Sequence, residues 1–318
     1  MTRTANDGRL RMTILGGYLG SGKTTWLRHQ LFKGAFGHTH ILVNEAAETP
    51  VDDTLLSAQA TGITMLAGGC ACCTGKADLI AALRSIIDTR SREHSDNRKI
   101  DQIVLETSGL ADPAAILSAI REDSVLVHHI RVAEIIVLVD ASNAADQLAT
   151  EHLSRLQIEA ADRIIVTKAD AVSPPQLATV VATAKQLNPA ANIEAAVKGQ
   201  PFALDDLPDA KPIDLPDLIG DSAPITPTRI TIGPDVDWAT FSVWLSALLF
   251  ARGDDLVRVK GVIDTPAGPL LLQTVRKSVQ PPELLPPEVT RNENQVVFIG
   301  RSYTSQDLQR SLEYFTHA

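Results

Sequence analysis

A glycine-rich run of eight residues near the N-terminus constrains the fold of this chain more than any other feature. It reads Gly17-Tyr18-Leu19-Gly20-Ser21-Gly22-Lys23-Thr24 and fits the pattern G-x-x-x-x-G-K-[ST]. The apolar run Met12–Leu15 precedes it, and a helical pattern over Lys23–Phe32 follows it. Between a strand and a helix, such a run lets backbone N–H groups curl round an anion, and the helix N-terminus adds partial positive charge. It therefore predicts an α/β domain with a phosphate-binding loop, since a glycine-rich turn without a ligand does not account for both flanks.

The residue types in this loop predict how a nucleotide is held. Lys23 is suited to reach the β- and γ-phosphates, and the Thr24 hydroxyl is suited to complete the shell of Mg²⁺. We expect contacts to the nucleotide from the loop and the start of the helix, namely from Gly17, Gly20, Ser21, Gly22, Lys23, Thr24 and Thr25.

The N-terminal two thirds of the chain alternate short apolar runs with longer amphipathic stretches. Predicted strands are Met12–Leu15, His40–Val43, Ile63–Leu66, Gln102–Leu105, Glu134–Val139, Arg163–Val166 and Ile193–Val197. Several of them are almost continuously apolar, which is typical of a parallel sheet that is buried on both faces. One stripe of a helical pattern holds Leu79, Leu83, Ile86 and Ile87. The alternation predicts helices on both sides of a mostly parallel sheet.

After Pro201 the pattern changes. Residues up to Pro227 are rich in Pro and Asp, which indicates a linker. Beyond it, strands and helices alternate differently, with strands at Arg229–Ile232, Leu256–Ile263, Leu270–Val275 and Gln295–Ile299, and helices at Trp238–Phe250 and from Ser305. We therefore predict an α/β domain over residues 1–203, a linker over 204–227 and a smaller α+β domain over 228–318.

Length and charge narrow the class of protein. A chain of 318 residues is long enough for one large and one small domain. The net charge of −9, without a block of Lys and Arg, disfavours nucleic acid as a partner. No apolar run approaches the roughly 20 residues of a membrane-spanning helix. The stretch Met1–Arg11 is polar and lacks the apolar core of a secretory signal, so we expect a cytoplasmic protein.

A nucleotide site with Mg²⁺ also needs an acidic residue at the end of a buried strand. Glu106 follows Gln102–Leu105, and Asp140 follows a second apolar run. We favour Glu106, and for Asp140 we favour the role of an ordinary strand-end cap. Gly109, three residues beyond Glu106, can place a backbone N–H against the γ-phosphate and so sense hydrolysis.

A further motif points to the base. Thr167-Lys168-Ala169-Asp170 follows the predicted strand Arg163–Val166. The Asp170 carboxylate can accept hydrogen bonds from both N1–H and the 2-amino group of guanine, while the stem of Lys168 covers the base plane. Adenine lacks this pair of donors, so the motif predicts selection of GTP over ATP.

All three cysteines of the chain lie within four residues, at Cys70, Cys72 and Cys73. Thiolates favour Zn²⁺ or Cu(I), with Co²⁺ as an alternative, and a helix N-terminus lowers the pKa of nearby thiols. Three small buried residues are the competing interpretation. The fourth ligand stays open between Glu48, water and a client protein, and the adjacent pair His128-His129 is better explained as a solvated loop.

Together these motifs resemble the CobW-type P-loop GTPases. The matching segments are Gly17–Thr25, Asn44-Glu45 with Glu48 and Asp52, Gly69–Cys73, Glu106–Pro113, Thr167–Asp170, Arg258–Gly261 and Val296–Arg301. The resemblance implies a GTPase that acts as a metallochaperone or metal insertase, with Lys23, Glu106 and Asp52 as catalytic residues. It also implies a switch segment over Asn44–Asp52 and a client metalloprotein bound through that segment or the C-terminal domain, and it allows a homodimer.

Three departures from the family pattern modify this expectation. The switch segment has Ala46-Ala47 in place of the usual Phe-Gly, so its backbone lacks a glycine. The base motif begins with Thr167 in place of the commoner Asn, which is expected to remove one polar contact. The His-rich tract of many members is absent. Two other classes of protein also fit a phosphate-binding loop: a small-molecule kinase, and a GTP-binding interaction module without metal transfer.

Overall fold

The structure, a computed structural model, describes residues 8–44, 62–66, 75–92, 100–216, 226–253, 255–279, 282–285 and 294–316. Contacts within the chain define one compact unit over Arg9–Gly220 and a second whose main part is Asp221–Ala318. The domain boundaries at residues 203 and 228 remain predictions. Among the residues that the structure describes, no helix combines the length and the apolar character needed to cross a bilayer.

The first unit is built on an eight-stranded sheet in the order β3-β2-β4-β1-β5-β6-β7-β8. Its strands are β1 (Leu10–Gly17), β2 (Thr39–Val43), β3 (Gly62–Met65), β4 (Gln102–Glu106), β5 (Ile130–Asp140), β6 (Arg163–Thr167), β7 (Asn192–Val197) and β8 (Gln200–Phe202). All neighbouring strands are parallel except β7 and β8, which are antiparallel. This confirms the predicted P-loop GTPase fold with a mostly parallel sheet.

Helices alternate with these strands. The described ones are α1 (Lys23–Phe32), α2 (Lys76–Arg92), α3 (Pro113–Glu122), α4 (Leu126–His129), α5 (Ala144–Thr150), α6 (His152–Ala160) and α7 (Pro174–Leu187). The buried residues of α2 are the predicted stripe Leu79, Leu83, Ile86 and Ile87. In β5, Ile135 to Leu138 are all at most 1% exposed, as expected for a strand with helices on both faces.

The sequence missed the edge strand β8. It contains Pro201, and the prediction placed this part of the chain at the start of the linker-like stretch. Proline is tolerated in an edge strand because one side of that strand has no ladder partner for an N–H donor. Strand β8 pairs only with β7, so its proline fits this rule within the described sheet.

The second unit contains a six-stranded antiparallel sheet, which confirms the predicted α+β character. Its elements are β9 (Thr226–Thr231), α8 (Trp238–Arg252), β10 (Leu256–Thr265), β11 (Gly268–Val275), β12 (Ser278–Val279), β13 (Glu283–Leu284), β14 (Gln295–Gly300) and α9 (Ser305–Thr316). Its core contains Phe241 and Trp244 of α8 and Phe298 of β14, at most 1% exposed. Aromatic contacts link them, with the Trp244 and Phe298 rings 5.8 Å apart at their centroids.

Strand register in the first unit brings several chain segments to one edge of the sheet. Glu106, the last residue of β4, is level with Leu15 of β1 and with Val43 of β2. Thr167, at the end of β6, is level with Asp140 of β5. Parallel strands end on the same side, so the predicted motifs are neighbours at this carboxyl edge.

Candidate functional site

The backbone of the loop after β1 has the shape expected of an anion-binding turn. Gly20 and Gly22 have φ angles of +74° and +85°, in the left-handed region that favours glycine. Helix α1 begins at the next residue, Lys23, and Gly22 is its N-cap. Left-handed glycines in such a turn let successive backbone N–H groups point toward one concave side, which is suited to a phosphate.

Gly17 is needed for a different reason. A Cβ atom there would lie 2.5 Å from the carbonyl oxygen of Leu138 and 2.7 Å from Oγ of Ser21. Ser21 is 1% exposed, and its Oγ has no hydrogen-bond partner among the described residues. A buried hydroxyl without a partner costs free energy, and a phosphate oxygen would satisfy it. The loop therefore fits the predicted nucleotide.

Lys23 is held over the loop that it follows. Its side chain is buried, and Nζ lies 3.1 Å from the carbonyl oxygen of Gly17 and 3.4 Å from that of Tyr18. These two carbonyls orient the buried ammonium group of Lys23 beside the phosphate loop. An anionic ligand at this position would be matched by the charge of Lys23.

Thr24 and Glu106 meet although 82 residues separate them. Oγ1 of Thr24 donates a hydrogen bond of 2.5 Å to Oε1 of Glu106, which is fully buried. The backbone N–H of Asn44, directly after β2, donates to the carbonyl oxygen of Glu106 at 2.9 Å. A hydroxyl and a carboxylate beside a phosphate loop are the donor types that Mg²⁺ takes, so these residues fit the predicted metal.

The loop after β4 lies against the phosphate loop. A Cβ atom on Gly109 would approach the backbone nitrogen of Leu19 to 2.7 Å, so only glycine fits there. Thr107 fixes the start of this loop, because its N–H and Oγ1 both donate to the carbonyl oxygen of Leu15, at 3.0 and 3.2 Å. The structure thus brings Gly109 beside the loop, as its predicted role requires.

Thr167 also contacts the phosphate loop. Its Oγ1 donates to the carbonyl oxygen of Ser21 at 2.8 Å and lies 3.3 Å from that of Val139. The sequence suggested that threonine removes a polar contact at this position. The structure shows that its hydroxyl still ties the base motif to the loop.

Asp140 serves as a strand-end cap and as an anchor for Lys168. Its carboxylate accepts hydrogen bonds from the Ser142 N–H at 2.9 Å, from Nδ2 of Asn143 at 2.8 Å and from Nζ of Lys168 at 2.6 Å. Burial by itself raises the pKa of Asp140, but hydrogen bonds from Lys168, Asn143 and Ser142 outweigh it, and the pKa is lowered. Asp140 is therefore charged at neutral pH and holds the Lys168 stem in place.

Asp170 is exposed at the same edge, in a short 3₁₀ turn over Ala169–Ala171. It lines a cavity of about 450 Å³ together with Phe202, Asp206 and Leu207. A carboxylate with free access to a cavity can accept hydrogen bonds from a ligand.

The strand β7 was predicted, but sequence reasoning did not assign the turn after it, or Gln157, to the site. Ala196 of β7 is level with Thr167, so the turn that follows, with Lys198 at φ 50° and Gly199 at φ +87°, lies beside the base motif. This turn could have been assigned to the site from the sequence, because a strand that follows β6 in a parallel sheet ends at the same carboxyl edge. Gln157 carries no such signal, since a glutamine within an amphipathic helix is usually solvated.

The predicted transition-metal ligands lie outside the described residues. These are Cys70, Cys72, Cys73 and Glu48, and the predicted catalytic Asp52 lies there as well. Within the part of the chain that the structure describes, no group of three His, Cys, Asp or Glu side chains is placed to hold a metal ion. His128 and His129 are exposed, as predicted, but they end the short helix α4 and do not lie in a loop.

Residues 11–194 match the family described as "CobW/HypB/UreG, nucleotide-binding domain". The chain belongs to this family. Residues 227–316 match a second family model, described as "Cobalamin synthesis protein cobW C-terminal domain". Each of the two compact units thus contains one matched segment.

Three curated relatives illustrate the similarity. The zinc chaperone YjiA of Escherichia coli is 36% identical over 161 residues, which are 51% of this chain and 50% of that protein. The zinc-regulated GTPase metalloprotein activator 1 of Schizosaccharomyces pombe is 30% identical over 210 residues, covering 64% and 49%. The zinc chaperone CobW of Pseudomonas aeruginosa is 29% identical over 224 residues, covering 60% and 58%. The matched part thus spans about half of the length of these relatives.

A solved structure of Zn(II)-bound YjiA GTPase from Escherichia coli has the same fold. It aligns with 96% of this chain and 99% of its own, with a TM-score of 0.63 and 22% sequence identity. At this level of identity the likeness concerns the fold.

Proposed function

We propose that this chain is a GTP-hydrolysing metallochaperone or metal insertase. In this proposal it binds Zn²⁺ or Co²⁺ at Cys70, Cys72 and Cys73, with Glu48 as a further ligand, and passes the metal to a client metalloprotein. The observation that carries the proposal is the position of Glu106, which contacts both Thr24 at the phosphate loop and Asn44 at the start of the predicted switch. The relatives named zinc chaperones support the choice of cargo.

Apart from Asp52, the nucleotide half of the mechanism uses residues whose positions are described. Lys23 balances the charge of the β- and γ-phosphates, and Gly109 directs a backbone N–H to the γ-phosphate. Thr24 and Glu106 would hold Mg²⁺, which would supply positive charge beside the phosphates. Asp52 is the proposed third catalytic residue.

Base selection uses the motif after β6, which lies on the other side of β1 from Glu106 of β4. Asp170 accepts from N1–H and the 2-amino group of guanine, and the stem of Lys168 covers the ring. The ion pair with Asp140 and the bond from Thr167 to the phosphate loop support this arrangement, because they fix the base motif relative to the phosphates.

The metal half rests on where the two relevant segments leave the sheet. Asn44 precedes the segment with Glu48, and Leu66 precedes the segment with the cysteines. The N–H of Leu66 donates to the carbonyl oxygen of Val43 at 2.9 Å, so the two segments leave the sheet at adjacent positions. Binding of GTP with Mg²⁺ would order the switch and close the metal site or the client surface, and hydrolysis would release it. The client would bind the switch or the C-terminal domain.

The metal assignment is tested by cobalt substitution. The reduced protein is expected to bind one Co²⁺ per chain with intense thiolate-to-metal charge-transfer absorption, because Cys ligands are soft and easily oxidised donors. Replacing Cys70, Cys72 and Cys73 together by Ser should erase that absorption, and a titration of Co²⁺ with Zn²⁺ competition measures both.

The control is the double variant His128→Ala with His129→Ala, which should keep the full absorption. Retention of the band in the serine variant would place the metal elsewhere and contradict the proposed site.

A further inference from the structure

A buried amide holds the loop that follows β4. Gln157 lies in α6 and is 1% exposed. Its Nε2 donates to the carbonyl oxygen of Gly109 at 3.2 Å and to that of Ala111 at 2.8 Å. Two donors are all that an amide nitrogen has, so both are used on this one loop.

The same loop is closed by its own turn. The N–H of Ala111 donates to the carbonyl oxygen of Ser108 at 3.0 Å, and the N–H of Leu110 lies 3.3 Å from Oγ of Ser108. A trans peptide is planar, with its N–H opposed to its C=O. Fixing the Ser108 carbonyl therefore fixes the direction of the Gly109 N–H.

Gln157 prevents this turn from tilting as a unit. On one side there is no room for a Cβ atom between Gly109 and the backbone of Leu19, and on the other Gln157 holds the carbonyls of Gly109 and Ala111. The start of α6 also lies near the phosphate loop, because burial and the carboxylate of Glu151, the residue directly before α6, raise the pKa of Tyr18. One helix thus lies beside both loops that would face the phosphates.

We infer that Gln157 is a positioning residue for GTP, whose amide holds the Gly109 N–H in the direction that the γ-phosphate requires. The inference rests on the proposed nucleotide site, in which Gly109 contacts the γ-phosphate. GDP lacks that phosphate, so the contribution of Gln157 belongs to GTP alone.

The test compares equilibrium affinities for a non-hydrolysable GTP analogue and for GDP by calorimetry. Gln157→Met keeps the approximate shape and removes both donors. It should weaken the analogue by about 10- to 150-fold, the value of one hydrogen bond to a charged group, and change GDP affinity less than about twofold. Steady-state turnover should show a lower kcat in the same variant.

Gln157→Glu supplies a signature that loss of stability would not produce. A buried carboxyl has a raised pKa, and only its protonated form has an O–H, which can donate to one of the two carbonyls. Relative to wild type at each pH, affinity for the analogue should therefore recover in part as the pH falls from 8.5 to 5.5, while GDP affinity stays level. This arm also serves if Gln157→Met does not fold.

Asn188 offers a matched control. It is likewise 1% exposed, and its Nδ2 lies within 2.8 to 3.2 Å of the carbonyl oxygens of Ile158, Glu159 and Ala161 at the other end of α6. Asn188→Leu should lower Tm and leave the ratio of the two affinities unchanged.

Two results separate the possible failures. If Lys23→Ala abolishes nucleotide binding but Gln157→Met and Gln157→Glu keep the wild-type ratio at every pH, the inference about Gln157 is overturned and the nucleotide site stands. If Lys23→Ala leaves both affinities unchanged, the proposed nucleotide site itself is wrong, and the inference fails with it.

Discussion

At the scale of single residues, the proposed selection of guanine is tested at Asp170, whose carboxylate is the proposed acceptor for N1–H and the 2-amino group. Asp170→Asn is expected to weaken GTP and to improve XTP, whose 2-oxo group matches an amide donor. Loss of two hydrogen bonds to a charged acceptor corresponds to a decrease of about 10²- to 10⁴-fold in GTP affinity. Competition binding with GTP, XTP and ATP measures the change.

Asp206→Asn is the matched control for Asp170, because both aspartates line the same cavity. It should leave the preference for GTP over XTP intact. A wild-type protein that prefers ATP would show that Thr167–Asp170 does not read guanine.

At the scale of elements, α2 shows that a buried apolar side chain and a surface ion pair contribute differently to the free energy of unfolding. Leu83 is fully buried in the middle of this helix. Lys76 at its start pairs with Glu122 of α3 at 2.6 Å, but these side chains are 46% and 66% exposed. Solvent screens such an ion pair, so it stabilises the fold only slightly. Truncation of a buried leucine leaves a cavity that the surrounding side chains fill only in part, so it costs more stability.

Leu83→Ala is therefore expected to lower the free energy of unfolding by about 2–5 kcal/mol. Lys76→Ala should lower it by less than about 1 kcal/mol. Urea denaturation of each variant measures both values under the same conditions. A larger loss from Lys76→Ala than from Leu83→Ala would mean that charge pairing, and not the apolar stripe, fixes α2.

At the scale of the whole molecule, the proposed nucleotide and metal sites should be energetically coupled. The segments after Asn44 and Leu66 leave adjacent strands, and Asn44 contacts Glu106 directly. Coupling of about 1–3 kcal/mol would change metal affinity roughly 5- to 150-fold between the GTP-analogue and GDP states. Titration against a zinc chelator in each state supplies the two constants.

Linkage makes this coupling reciprocal, so metal must change the ratio of GTP-analogue to GDP affinity by the same factor. Turnover is not bound by this symmetry, and the comparison belongs to equilibrium binding. Equal metal affinities in the two states would leave a metal-binding GTPase without a nucleotide-driven transfer step.

Much of the fold was accessible from sequence because its signals are local. The apolar run of β5 and the stripe from Leu79 to Ile87 follow from the periods of strand and helix, which neighbouring residues set by themselves. The phosphate loop is local too, since Gly20 and Gly22 permit backbone angles that their neighbours do not. For the same reason the α/β order and the phosphate loop could be predicted together.

The contacts within the site were decided by the tertiary structure. Thr24 meets Glu106 across 82 residues, Thr167 meets Ser21 across 146, and Gln157 meets Gly109 across 48. Strand order and register set these distances, and both arise from how the whole sheet buries its two faces. Sequence by itself determined which segments end in polar groups, and only the packed sheet decided which of those groups touch, because pairing between distant strands is a property of the complete core.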